Sequence, residues 1–173
     1  MESKVAVIGL GNLLLRDEGL GVHAVEALKK NYLFPEEVRL IDGGTLGLDL
    51  LPLIEGMEKI LFLDAADLKR EPGDITVVED REIPSFLEPK LSFHHVGLAD
   101  LLFASRLVGN PPAKVVLVGM QPETMEMGLE LSAPVVRRFG ELLETVVGKL
   151  REWGLPVKEK TDRRPAHVPG HSV

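Results

Sequence analysis

Cysteine is absent from the 173 residues. That removes disulfide scaffolds, thiolate zinc sites, iron–sulfur ligation and cysteine nucleophiles together, and it fits a reducing compartment. Aromatic residues make up only 5%. The core must therefore be aliphatic, and stacking platforms for nucleic acid are not expected. Positive charge is also scarce, with 20 Lys and Arg against 27 Asp and Glu, a net −7. An acidic chain without a basic block is a poor match for polyanions, so no nucleic-acid partner is expected. No run reaches 18 apolar residues, so membrane insertion is not expected either. The opening residues lack the charged, apolar and small-residue series of an export leader. The expectation is a cytoplasmic protein.

What is present is ordinary for a globular domain: 45% hydrophobic and 27% charged. A chain of this length reads as one domain. Short apolar runs at 5–8, 38–41, 60–63, 75–78 and 115–118 read as strands, several of them buried on both faces. Helical patterns fall between them at about 20–30, 46–55 and 96–107. The strongest comes last: Val135, Val136, Phe139, Leu142, Leu143, Val146, Val147 and Leu150 trace one stripe, with Arg137, Glu141 and Glu144 outward. Residues 80–95 show no clear period. This alternation predicts an α/β fold, a three-layer αβα sandwich with a mainly parallel twisted sheet and helices on both faces. The folded domain is expected over 1–157. The Lys-, Arg-, Pro- and His-rich stretch 158–173 reads as a mobile tail.

In such sheets, sites form beyond the carboxyl ends of the strands. After the first strand comes Gly9-Leu10-Gly11-Asn12. A dinucleotide loop wants a third glycine where Leu14 stands, and an acidic residue about 20 positions on, closer than Asp42. The glycines therefore read as a tight turn. A Walker lysine, a Gly-x-Ser-x-Gly elbow and a His-Glu-x-x-His helix are all missing. Ser3, Ser85, Ser92, Ser105, Ser132 and Ser172 have no evident base beside them.

Three strand ends carry chemistry. Asp17-Glu18 lies in the loop before the first helix, where acidic residues also serve as caps. Asp64 closes an apolar strand, where it could accept turn hydrogen bonds. His94-His95 ends the long irregular stretch. Glu18, Asp64 and one of the two histidines can converge on one rim. Two carboxylates and an imidazole suit a divalent metal and leave coordination positions open.

The order of these blocks resembles the hydrogenase maturation proteases. The carrying residues are Gly9 to Val22 with Asp17-Glu18, then Asp42-Gly43-Gly44-Thr45-Leu46-Gly47, then Asp64-Ala65. His94-His95-Val96-Gly97-Leu98-Ala99-Asp100 and Val118-Gly119 with Gln121-Pro122-Glu123 complete the series. The resemblance spans about 4–153. It implies an endopeptidase that trims a C-terminal extension from the precursor of a nickel–iron hydrogenase large subunit. It places metal contacts on Glu18, Asp64 and His94, choosing His94 over His95. Where many relatives carry Asp-Asp, this chain has Asp17-Glu18. The nickel would be the substrate's own, and the isolated protein would hold divalent metal only loosely. Asp17 and Asp42 are the candidates for the base that activates water. A nickel-binding chaperone using the same residues, or a nucleotide-binding regulator, are the competing readings.

Overall fold

Every residue of β1 (Val5–Leu10) is buried, as a strand covered on both faces must be. It runs parallel to β3 (Val38–Gly44) on one side and to β4 (Lys59–Ala65) on the other, with Val7 level with Leu40 and Leu61. β4 then pairs in parallel with β6 (Lys114–Met120), and β5 (Ile75–Glu79) closes the edge antiparallel to β6. The five-stranded order is β3-β1-β4-β6-β5. The computed structural model describes residues 4–83 and 93–161, with the backbone alone over 93–97. Ser3, Ser85, Ser92, Ser172 and the end of the expected tail lie outside the described residues.

Side-chain alternation sends successive strand residues into two different cores. Val5, Val7, Leu61, Leu63, Val116 and Val118 face α1 (Leu20–Asn31) and the C-terminal α4 (Ala133–Glu152). Ala6, Ile8, Ile60, Phe62, Val115 and Leu117 face the opposite layer. That layer holds a 3-10 turn (Gly47–Leu50), the short α2 (Leu51–Ile54) and α3 (Phe93–Leu107). The expected three-layer sandwich is thus the observed one. The apolar stripe of α4 is buried from Val135 to Leu150. Full burial of one such aliphatic side chain is worth roughly 1.5–3 kcal/mol, so this helix anchors its face.

Three local expectations need correction. The predicted helix over 46–55 is a 3-10 turn followed by one α-turn, because in a continuous helix Pro52 would be interior, with no N–H to donate to the Leu48 carbonyl; in the first turn of α2 it is tolerated. Helix α3 starts at Phe93, three residues before the apolar period becomes visible, so His94 and His95 stand on a helix and not in the loop before it. The tail does not begin at 158. Lys158–Glu159 forms β7, antiparallel to β2 (Tyr32–Leu33). Next to it, the Lys160 backbone N–H donates to Asn31 O at 2.9 Å and its ammonium to Lys29 O at 2.8 Å.

Truncation after Thr161 is expected to leave the urea midpoint unchanged. Truncation after Val157 removes those bonds and should cost about 1–2 kcal/mol, at about 1 kcal/mol per net hydrogen bond. Equal midpoints for the two truncations would show that the β2–β7 pair contributes nothing.

Candidate active site

The chain leaves β1 for β3 on one side and returns to β4 on the other. The carboxyl ends of β1 and β4 therefore flank the point where the winding reverses, the place where open α/β sheets form their crevice. Glu18 follows β1 within a 3-10 turn, Arg16–Gly19, and Asp64 is the penultimate residue of β4. Two glycines allow this turn to sit so close. A side chain at Gly11, whose φ is +136°, would collide with the Glu18 carbonyl. One at Gly21 would strike the carbonyls of Leu10 and Leu63. The start of α1 thus rests on the backbone of both strands, and Gly11, read from the sequence as part of a tight turn, serves a close backbone contact.

Asp64 is 1% exposed. It shares the parity of Ile60 and Phe62, so it faces the layer that contains α3. Burial pushes its carboxyl well above the ordinary range; the Ala65 backbone N–H pulls it down, and the nearby Glu18 carboxylate adds to the rise. Glu18 and Asp64 are thus near enough for their charges to interact, and Asp64 lies inside the strand rather than beyond its end. Helix α3 leads into β6 and runs back against the parallel strands, so its first turn lies at their carboxyl end. His94 is in that turn; its side chain is outside the described residues. Adjacent helical residues diverge by about 100°, so His94 and His95 still cannot share one direction. Among the described residues, no three His, Asp or Glu side chains gather into a metal-holding group.

Asp17 and Asp42 meet different surroundings. Asp17 is 0% exposed, and both its oxygens are taken. Oδ2 accepts from the backbone N–H groups of Glu123 (2.9 Å) and Thr124 (3.1 Å) and from Ser132 Oγ (2.7 Å), while Oδ1 accepts from Ser132 N (2.7 Å). A carboxylate so enclosed holds structure, and water cannot reach it as it would reach a base. Asp42 is exposed, and its Oδ1 accepts from Gly44 N at 3.0 Å across a local turn.

Sequence reasoning gave Ser132 no partner. It sits before Ala133-Pro134, a helix-start pattern that predicts an N-cap. Its hydroxyl binds Asp17 and makes no cap bond. Nothing local in the sequence links two residues 115 apart. Ser105, also buried, donates to Leu102 O within its own helix. Gln121 does for the β4 loop what Asp17 does for the β1 loop: its Oε1 accepts from Leu68 N at 2.6 Å.

A family model described as hydrogenase maturation protease matches residues 22–149. The hydrogenase 2 maturation protease of Escherichia coli (strain K12) is 39% identical over 153 residues, covering 88% of this chain and 93% of that protein. The solved hydrogenase maturating endopeptidase HybD from E. coli superposes with a TM-score of 0.87 at 38% identity, over 94% of this chain and 100% of the other. A [NiFe] hydrogenase maturation protease HybD from Thermococcus kodakarensis gives 0.71 at 25% identity, over 87% and 99%.

Two outcomes follow from the carboxyl groups. Asp17→Ala strands four donors and should destabilise the protein by about 3–5 kcal/mol in urea unfolding, and Ser132→Ala by about 1–2 kcal/mol. A stable but inactive Asp17→Ala protein would restore Asp17 as a base. For Asp64 the sign is the reverse of the usual carboxylate. Its pKa is raised in the fold, so the native state holds the proton more tightly than the unfolded chain, whose Asp titrates near ~3.9. That stabilisation is full below the unfolded value and is lost as pH rises through the folded one. Asp64→Asn lacks the titration, so its Tm advantage over the parent should widen between pH 4 and pH 8. A constant difference across that range would contradict the burial.

Proposed function

The chain belongs to the hydrogenase maturation protease family, and we propose that this endopeptidase removes a C-terminal extension from the nickel-loaded precursor of a nickel–iron hydrogenase large subunit. The observation that carries the reading is the pair of acids at the strand ends: a buried Asp64 whose carboxyl feels the charge of Glu18. Two neighbouring carboxylates, one of them buried, favour an added positive charge, and a divalent cation delivered by a substrate answers that need.

In this reading Glu18, Asp64 and His94 contact the substrate's nickel. The contact fixes the scissile bond relative to the protein, which reduces the entropic barrier to attack by water. With both Asp17 oxygens engaged, Asp42 is the acid left to accept a proton from that water. The attacking oxygen joins the carbonyl carbon, the C–N bond breaks, and the proton passes to the departing amine. Three hard-to-borderline donors without a thiolate hold free nickel weakly, so the metal arrives with its substrate and divalent metal binds the isolated protein only loosely. We place the reaction in the cytoplasm, which the absence of cysteine supports. Among the described residues, no helix is long and apolar enough to cross a membrane.

The test incubates chelator-stripped protein with nickel-loaded and nickel-free precursor and reads chain length by mass spectrometry. The loaded form should be shortened at least tenfold faster, a difference of about 1.4 kcal/mol. Glu18→Ala, Asp64→Ala and His94→Ala should each reduce the rate by more than 100-fold, since even residues that support metal ligands matter by 10–100-fold. His95→Ala should be milder. Equal rates on both precursor forms would end the nickel-reading mechanism, and binding without shortening would make the protein a chaperone.

A further inference from the structure

Next to the acidic pair lies a surface that its chemistry does not use. The loop after β1 exposes Leu13 and Leu14, and the loop after β6 exposes Met125, Met127 and Leu129. Leu14, Met127 and Leu129 are 61%, 87% and 63% exposed. The two loops form one unit. Gly128 N donates to Leu14 O and Arg16 N to Gly128 O, each at 2.9 Å, and Asp17 N donates to Thr124 O at 3.3 Å. The Arg16 side chain covers Gly128 and donates from Nε to Glu130 O at 3.2 Å. Single exposed leucines are ordinary, but five large apolar side chains on two joined loops mark a contact surface.

We propose that this patch is a docking surface for the apolar segment of the precursor that flanks its scissile bond, an inference that rests on the protease reading above. Position argues for this occupant. Leu14 is four residues from Glu18, so the two Cα atoms are at most about 14 Å apart even in a fully extended chain. A peptide presented to Glu18 and Asp64 must pass within a few residues of the patch. The same Asp17 carboxylate that fixes the turn bearing Glu18 also fixes the 123–132 loop, so site and patch form one rigid body. Such a surface binds without first having to order itself. Charge narrows the occupant further. Exposed Glu123, Glu126 and Glu130 border the apolar side chains and repel an acidic segment. Methionine at the most exposed position adapts to side chains of differing shape.

The experiment measures processing of nickel-loaded precursor by a triple variant, Leu14→Ser with Met127→Ser and Leu129→Ser, and by a conservative triple, Leu14→Met with Met127→Leu and Leu129→Met. All three sites are exposed, so both should melt with the parent. The serine triple should raise KM at least tenfold with kcat within about twofold, and the conservative triple should restore KM. An unchanged KM in the serine triple overturns the proposal, as does a parent dimer in sedimentation velocity that the serine triple converts to monomer without altering KM. If the parent cleaves no precursor, the protease reading fails on its own account. Docking is then judged by precursor affinity in biolayer interferometry: a tenfold loss in the serine triple supports the patch, and equal affinity overturns it.

Discussion

One carboxylate organises the carboxyl end of the sheet. Asp17 lies in the turn after β1, and its four hydrogen bonds reach the loop after β6 and the first residue before α4. These segments enter the fold more than a hundred residues apart. Without a common acceptor, the loop backbone would have to find water or other partners, and the turn that presents Glu18 would lose its outer support. Charge-assisted bonds to a buried acid are among the stronger polar interactions in a protein. They are also intolerant of partial loss, because each donor left behind carries its own desolvation penalty. The clamp therefore converts two loops, normally the mobile part of an α/β protein, into a fixed platform.

On that platform the adjacent acids divide the work. Asp17 turns inward and is saturated; Glu18 is half-buried and acts on Asp64. The site is consequently held in an unfavourable electrostatic state by the rest of the structure. Aliphatic packing on both sheet faces supplies the stability that makes this tolerable: Phe62 and Ile60 lie on the same strand face as Asp64, fully buried. A carboxyl at this depth would be cheaper as an amide for folding alone. A carboxyl held where burial penalises its charge fits the proposed role of meeting an incoming cation.

Much of this was legible from the residues. Buried runs such as Val5–Leu10 identify strands covered on both faces, and the α4 stripe from Val135 to Leu150 identifies its helix and its inner face. Glu18 and Asp64 were singled out because strand ends are where α/β sheets collect chemistry. What escaped was non-local or local in a misleading way. Ser132 before Ala-Pro looks like an ordinary cap, and only the folded chain shows its hydroxyl committed to Asp17. Lys158–Glu159 has no apolar period because its pairing with Tyr32–Leu33 is made by backbone groups, which composition does not reveal. The start of α3 was missed because Phe93 to His95 precede the first visible leucine period.

The absent cysteine has its counterpart in this arrangement. A site able to bind nickel tightly would take the metal from solution and answer to any nickel source. In the proposed mechanism, two carboxylates and an imidazole are too few and too hard to do so, yet they would complete a shell whose softer donors come with the substrate. Under the proposed mechanism, discrimination depends on two events that must coincide: a cation reaching Glu18 and Asp64, and a polypeptide lying along the neighbouring loops. Neither contact need be strong. A weak metal contact joined to a weak apolar contact on the same rigid frame gives a steep response to the correct substrate, because the second forms without further loss of freedom once the first is made. The hydrogen bonds of Asp17 join the loops that carry Glu18 and the apolar patch, so the two proposed contacts share one frame.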